Sequence, residues 1–166
     1  MKDMLVPLWE LPECSDIEKR LQNQENIIVR RPIAAERHLI TSWVLKNFSN
    51  YWESEVKVAF RSIPASIYVA QKNNEILGFA CYECTARGFF GPTGTLEEER
   101  GKGIGKVLLV KSLQSLREMG YVYGIIGGVG PEAYYEKTVN ARIIEGSEKS
   151  VYYHMLKNKN GGNKKE

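Results

Sequence analysis

The chain has 166 residues, 43% of them hydrophobic and 26% charged, enough for one domain with a full core and too few for a second. No apolar run approaches the ~20 residues that a bilayer-crossing helix needs, and Met1 to Glu10 lacks the apolar core of a secretory signal. Both features point to a cytoplasmic protein, without a membrane partner. The net charge of +3 lies partly in the tail (Lys157, Lys159, Lys164, Lys165) and is otherwise scattered among 20 acidic residues. A nucleic-acid binder would concentrate Lys and Arg on one face, so nucleic acid is not the expected partner.

Residues 1–26 read as an N-terminal extension packing on the domain. Met4 to Leu11 is extended, and Ser15-Asp16-Ile17-Glu18 has the Ser and Glu spacing of a capped helix start. The domain proper spans 27–157 and opens with a short strand, Ile27 to Arg31, which Pro32 ends. Leu39, Ile40, Trp43, Val44 and Phe48 recur at helical spacing, as do Trp52, Val56, Ala59 and Phe60. The junction of these two helices, from Asn47 to Glu55, is a place where a small acceptor could be gripped.

Ser66 to Gln71 and Glu75 to Cys84 are rich in Ile, Val, Tyr and Phe and flank Lys72-Asn73-Asn74, the pattern of a β-hairpin. Cys81 and Cys84 have C-x-x-C spacing, but three cysteines without an export signal do not make a disulfide framework. Positions i and i+3 of a strand face opposite sides, and no second pair completes a metal site. These cysteines are expected to pack, and no metal is expected. Arg87 to Leu96 is a further strand, interrupted by Gly88, Gly91-Pro92 and Gly94. Such residues make a central strand bulge or part from its neighbour, which frees backbone groups for a ligand.

Gly103 to Met119 is the strongest helix, with one stripe through Leu109, Leu113 and Leu116 and a stop at Gly120. Tyr121 to Gly128 follows as a buried strand. A short helix then begins at Pro131, and strands are expected at Ile143-Ile144 and from Val151 to Leu156. The tail, 158–166, is polar and reads as disordered. The order of elements gives an α/β (α+β) fold with one mixed sheet and helices on both faces.

Between the interrupted strand and the strongest helix lies Glu97-Glu98-Glu99-Arg100-Gly101-Lys102-Gly103-Ile104-Gly105-Lys106. Glycines at alternate positions let main-chain amides approach a ligand closely, and a helix start adds unpaired N–H groups and ~0.5 of a positive charge. That combination suits phosphate. A hydrogen bond to a charged group contributes ~1.5–3 kcal/mol, against ~0–1 kcal/mol for an exposed ion pair. The amides should therefore dominate, with Lys102 and Lys106 assisting. A P-loop fails because Arg100 stands five before Gly105 and Val107 follows Lys106. A dinucleotide fingerprint fails because Leu108 stands where its third glycine should be.

The remaining pattern, Arg100-x-x-Gly103-x-Gly105, resembles the pyrophosphate loop of the GNAT superfamily of acetyltransferases. Ala133-Tyr134-Tyr135-Glu136-Lys137, one strand and one helix later, is similar to a segment that family often carries there. The likeness runs from Ile27 to about Leu156, and the segments Phe89 to Gly94 and Ile125 to Pro131 look like a bacterial subgroup. It implies a mostly antiparallel sheet splayed at the cofactor strand. It also implies acetyl-CoA as co-substrate, held at Arg100, Gly101, Lys102, Gly103, Ile104, Gly105 and Lys106. Its pantetheine arm would lie along Thr93, Gly94, Thr95 and Leu96, with Tyr134 as a further contact.

The chemistry so implied is direct attack on the thioester by an amine of a small molecule or peptide. A backbone N–H near Thr95 would polarise the carbonyl. Tyr135 matches the tyrosine that protonates the leaving thiolate, with Tyr134 as its substitute. Glu83 and Glu97 are the candidate bases, since an ammonium must lose a proton before it attacks. The family often has Asn after the strand ending at Gly128, where this chain has Val129-Gly130. The alternative in which the domain is a catalytically silent CoA-binding regulatory module therefore stays open, as does the choice between monomer and homodimer.

Overall fold

The computed structural model describes residues 1–157, so the tail expected to be disordered lies outside the described residues. Seven strands form one sheet: β1 (Asp3–Pro7), β2 (Ile28–Arg30), β3 (Ile67–Lys72), β4 (Glu75–Tyr82), β5 (Phe89–Thr95), β6 (Tyr123–Ile126) and β7 (Arg142–Ile144). Their spatial order is β2-β3-β4-β5-β6-β1-β7. Every neighbouring pair is antiparallel except β5 and β6, which run parallel. The helices are α1 (Ser15–Glu25), α2 (Arg37–Asn47), α3 (Asn50–Ala59), α4 (Ile104–Glu118) and α5 (Glu132–Val139).

Two apolar layers sandwich the sheet. One holds Leu21 of α1, the stripe of α4 and Tyr135 and Val139 of α5 against Ala80, Tyr82, Phe90 and Ile126. The other holds Ile40 and Val44 of α2 and Val56 and Ala59 of α3 against Phe79 and Cys81. Alternation along β4 sends Phe79 and Cys81 one way and Ala80 and Tyr82 the other, as the two-residue period of a strand requires. Because both faces are covered, β4 is buried from Leu77 to Tyr82. The hairpin before it turns at Asn73 (φ 51°) and Asn74 (φ 67°), the two left-handed residues of a tight β-turn.

Residues 1–26 carry β1 and α1, and β1 is a strand of the sheet itself. β1 lies between β6 and β7, with Met4 opposite both Ile126 and Ile143, and Met4, Val6 and Leu8 are fully buried. Asp3 fixes the end of this strand: its carboxylate accepts the Gly128 N–H at 2.8 Å and its own N–H donates to Ser147 Oγ at 2.8 Å. Nothing in five residues of extended sequence distinguishes an interior strand from a surface one, because the burial comes from partners more than 100 residues away.

Two local expectations differ from the structure. Val151 to Leu156 forms turns followed by irregular chain rather than a strand, and Tyr152 lies over Gly127 and Gly128, filling the room left by their missing side chains. Cys81 and Cys84 do not face opposite sides. The strand stops at Tyr82, Glu83 takes φ 61°, and the reversal puts Cys84 in the same buried layer as Cys81, its thiol donating to the Tyr82 carbonyl at 3.2 Å.

Met4→Ala measures how far β1 belongs to the core. Truncating a buried side chain of this size should lower the unfolding free energy in urea by about 2–5 kcal/mol. A loss under about 0.5 kcal/mol, the figure for a surface position, would mean that β1 merely lies against the domain.

Candidate active site

Beside β4, β5 carries one residue too many. Tyr82 pairs with Phe90 and Ala80 with Thr93, so two residues of β5, Gly91 and Pro92, face one of β4, Cys81, a β-bulge. A bulge bends its strand and raises the local twist. On its other edge β5 pairs with β6 only at Phe89↔Ile125 and Phe90↔Ile126; from the bulge onward the two strands part. The interruptions read in the sequence thus produce the splay expected there.

The parted segment exposes main-chain donors. Leu96 N–H bonds the Leu77 carbonyl on β4 at 2.9 Å. Successive amides of an extended strand point to opposite edges, so the N–H groups of Thr95 and Thr93 point into the opening. Phe48, at the end of α2, presses its ring onto β5 at Gly94, where any Cβ would run into it. With Asn47, Thr95, Leu96, Glu97, Glu98 and Arg100, Phe48 lines a cleft of about 240 Å³.

At the end of β5 the chain makes a short turn through Glu97–Glu99 and enters α4. Gly101 (φ 82°) and Gly103 (φ 94°) are left-handed, a conformation costing any other residue about 1–2 kcal/mol. Gly103 precedes the helix without a side-chain cap, and the first ladder bond is Val107 N–H to the Gly103 carbonyl. The N–H groups of Ile104, Gly105 and Lys106 are therefore outside the ladder. The space beside Gly101 is open. Left-handed glycines and a free helix mouth form a cradle of the kind that takes an anion, and a diphosphate fits these donors.

Side chains around the cradle divide their work. Ile17 and Arg20 of α1 lie behind Gly103, and Arg20 donates to the Lys102 carbonyl, buttressing the loop. Lys102 is turned toward carboxylates, 2.7 Å from Glu99 and 3.6 Å from Glu25. Its ammonium is engaged rather than free to assist, and Glu99 holds its pKa above the ordinary value. Arg100 is exposed at the cleft, and Lys106 is half-buried at the helix start. The hydroxyls of Tyr134 and Thr95 converge over Gly105, 3.8 and 3.9 Å from where a Cβ there would stand.

Tyr135 is buried, its ring edge-on to Phe90 at 6.5 Å. Among the described residues no buried side-chain oxygen lacks a partner, and the Tyr135 hydroxyl bonds none of them; it therefore retains contact with solvent. Burial pushes its pKa up to about 12, so the phenol carries its proton at neutral pH. Glu83 and Glu97 are not brought together with Tyr135. Glu83 closes the β4–β5 turn, accepting from the Gly88 N–H and, at 3.2 Å, from the Tyr121 hydroxyl, at the opposite end of the hairpin from Thr95. Glu97 is exposed beside the cradle.

Sequence reading marked the junction from Asn47 to Glu55, which includes Phe48 and Glu55, but gave neither side chain a role, and it missed Arg20 and the polar neighbours of Glu55 on α3, Thr85 and Tyr152. Glu55 accepts from the Thr85 hydroxyl, and burial raises its pKa while that bond lowers it. Trp52 and Glu55, three apart on one helix, gave the available signal: an aromatic and a carboxylate sharing a face.

Comparison with known proteins agrees with this geometry. No curated protein matches the chain. The fold is similar to the glucosamine N-acetyltransferase region of a fungal multi-domain GH3 β-N-acetylglucosaminidase (TM-score 0.68, 16% identity), with 86% of this chain and 19% of that one covered. It is similar also to a GCN5-related N-acetyltransferase from Sphaerobacter thermophilus (TM-score 0.64, 17% identity, 86% and 48% covered). A third likeness is to a GCN5-related N-acetyltransferase from Kribbella flavida (TM-score 0.58, 16% identity, 86% and 53% covered). The chain thus spans between about a fifth and about half of the length of these proteins. A family model described as Acetyltransferase (GNAT) family matches residues 37–137, from the start of α2 through the Tyr134-Tyr135 helix, and the chain belongs to that family.

Proposed function

We propose that the protein is an N-acetyltransferase that moves the acetyl group of acetyl-CoA directly onto an amine of a small molecule or peptide. The observation that carries this reading is the parting of β5 from β6 beside an anion cradle. One open strand edge and one helix mouth lie in line, and an extended arm ending in a diphosphate needs that arrangement. The first structural likeness is described as a glucosamine N-acetyltransferase region, which supports an amine as acceptor.

In this reading the amides of Gly101 to Lys106 hold the diphosphate, assisted by Arg100 and the Tyr134 hydroxyl. Thr93, Gly94, Thr95 and Leu96 accept the pantetheine arm as β5 would accept a neighbouring strand, through main-chain bonds indifferent to side-chain identity. Acetyl-CoA supplies an activated acyl carbon. The outward N–H of Thr93 or Thr95 polarises its carbonyl, a role for which fixed donors in a water-poor site are effective. Tyr135, protonated at neutral pH and open to solvent, donates to the departing sulfur. Glu97 stands at the diphosphate end and Glu83 is occupied in a turn, so neither is the base that this reading selects.

Two variants test these assignments. Gly103→Val places a side chain where φ is 94° and where Ile17 already lies 2.8 Å from a Cβ, so the loop must move. Calorimetric titration with CoA should show affinity reduced at least ~100-fold, the loss of two to three charge-assisted bonds, while unfolding stays cooperative. Unchanged affinity would exclude this loop as the binding site. Tyr135→Phe should bind CoA as the wild type does and release thiol from acetyl-CoA in the presence of an amine at least ~100-fold more slowly. Equal rates would remove Tyr135 from the chemistry.

A further inference from the structure

The acid, the carbonyl donor and the cradle lie along β5, but the chemistry also needs a group to hold the arriving amine and take a proton from it. Its place follows from the site above, and the inference rests on that reading. An arm anchored at 101–106 and laid along β5 runs back from Thr95 toward the bulge. Four residues of strand at ~3.3 Å each span about 13 Å. Its far end therefore lies at the bulge, Gly91-Pro92, next to the last β5–β6 pair, Phe90 and Ile126.

On the α3 face of the sheet that point is polar. Phe89 and Gly127 adjoin it, and the Tyr152 hydroxyl lies beside them, 2.9 Å from where a Cβ on Gly127 would stand. Tyr152 is close enough to feel both Thr85 and Glu55 electrostatically, and Thr85 donates to Glu55. Other carboxylates nearby are occupied or sealed: Asp3 is buried and bonded to the Gly128 N–H, and Glu83 closes its turn. Glu55 keeps one oxygen outside the Thr85 bond. One helical turn earlier Trp52 stacks on Phe48, centroids 5.1 Å apart, an aromatic wall of the type that attracts cations.

We propose that Glu55 is a catalytic residue that binds the ammonium of a primary-amine acceptor arriving on the α3 face and takes its proton, positioned by Thr85. The carboxylate accepts one proton from R–NH3+. The free lone pair then forms the C–N bond as the C–S bond breaks. The sulfur takes a proton from Tyr135, and the second proton shed by nitrogen restores it through solvent; the proton on Glu55 leaves to water with the product. Desolvation favours this function, because a carboxylate with a raised pKa is a stronger base. The ionisable groups packed around Glu55 are Cys81 on β4, Cys84 in the turn after it and Tyr152 on the C-terminal segment, with Arg61 beside Cys84.

The test uses the full chain, acetyl-CoA and three probe amines (glucosamine, tryptamine and spermidine), with CoA affinity measured in parallel. Glu55→Gln should bind CoA within about twofold of wild type and lose at least ~100-fold in kcat/KM with whichever amine is turned over, while Glu55→Asp recovers part of the loss. The wild-type kcat/KM should fall on the acid side with an apparent pKa above that of an exposed glutamate. This limb should be absent in Glu55→Gln and moved to higher pH in Thr85→Val, which lacks the pKa-lowering bond. Independently of turnover, a side-chain carboxyl carbon resonance in the ligand-free protein should titrate above the other glutamates and vanish in Glu55→Gln. Wild-type rates or a persistent acid limb in Glu55→Gln would overturn the assignment, as would CoA binding by wild type with none of the three amines acetylated. Failure of the wild type to bind CoA would instead overturn the acetyltransferase reading on which the assignment rests.

Discussion

The site depends on a mismatch of one residue between two strands. Two residues of β5 are set against one of β4, and the bend that results takes β5 away from β6 after only two paired positions. A buried sheet ordinarily satisfies its main-chain donors within itself, since an unpaired buried N–H costs about 1–3 kcal/mol. Here the N–H groups of Thr93 and Thr95 face an opening. The cost is tolerable only if solvent or a ligand meets them, which is the physical ground for the proposed binding edge.

The surroundings brace this strand. Phe48 packs on one face of β5 at Gly94, and Tyr135 packs on Phe90 from the other, so both faces of the bent strand are held by aromatic rings. At the far end α1 buttresses the cradle through Arg20 and Ile17. Rigid support of this kind lowers the ordering cost on binding. It also explains why the N-terminal 25 residues matter to a site built from residues 91–106: β1 carries the edge of the sheet beyond β6, and α1 backs the loop.

Much of this was legible in the sequence, for reasons that differ by element. The hairpin at Asn73-Asn74, the α4 stripe and the glycine-spaced loop are local patterns, and local sequence determines them. The splay was legible because Gly91-Pro92 and Gly94 are intolerable in a flat central strand. The place of β1 and the covering of Gly127 by Tyr152 were not, since each depends on partners distant in the chain; nor was the reversal at Glu83, a non-glycine at positive φ inside a strand-like run. Lys102 shows the same limit at the site. Its position in the loop suggested phosphate binding, whereas Glu99 and Glu25 hold its ammonium. Glu83 shows it as well: near in sequence to the interrupted strand, it accepts from the Gly88 N–H and the Tyr121 hydroxyl.

Amide hydrogen exchange resolved to single residues is the most direct measurement of the central claim, that the free edge of β5 and the mouth of α4 are one continuous binding surface. Saturation with CoA should slow exchange by at least ~10-fold at Thr93 and Thr95 and at Ile104, Gly105 and Lys106 together, because each of these donors gains a partner. Protection at the helix mouth without any at Thr93 or Thr95 would contradict the account, as would saturable binding that protects neither.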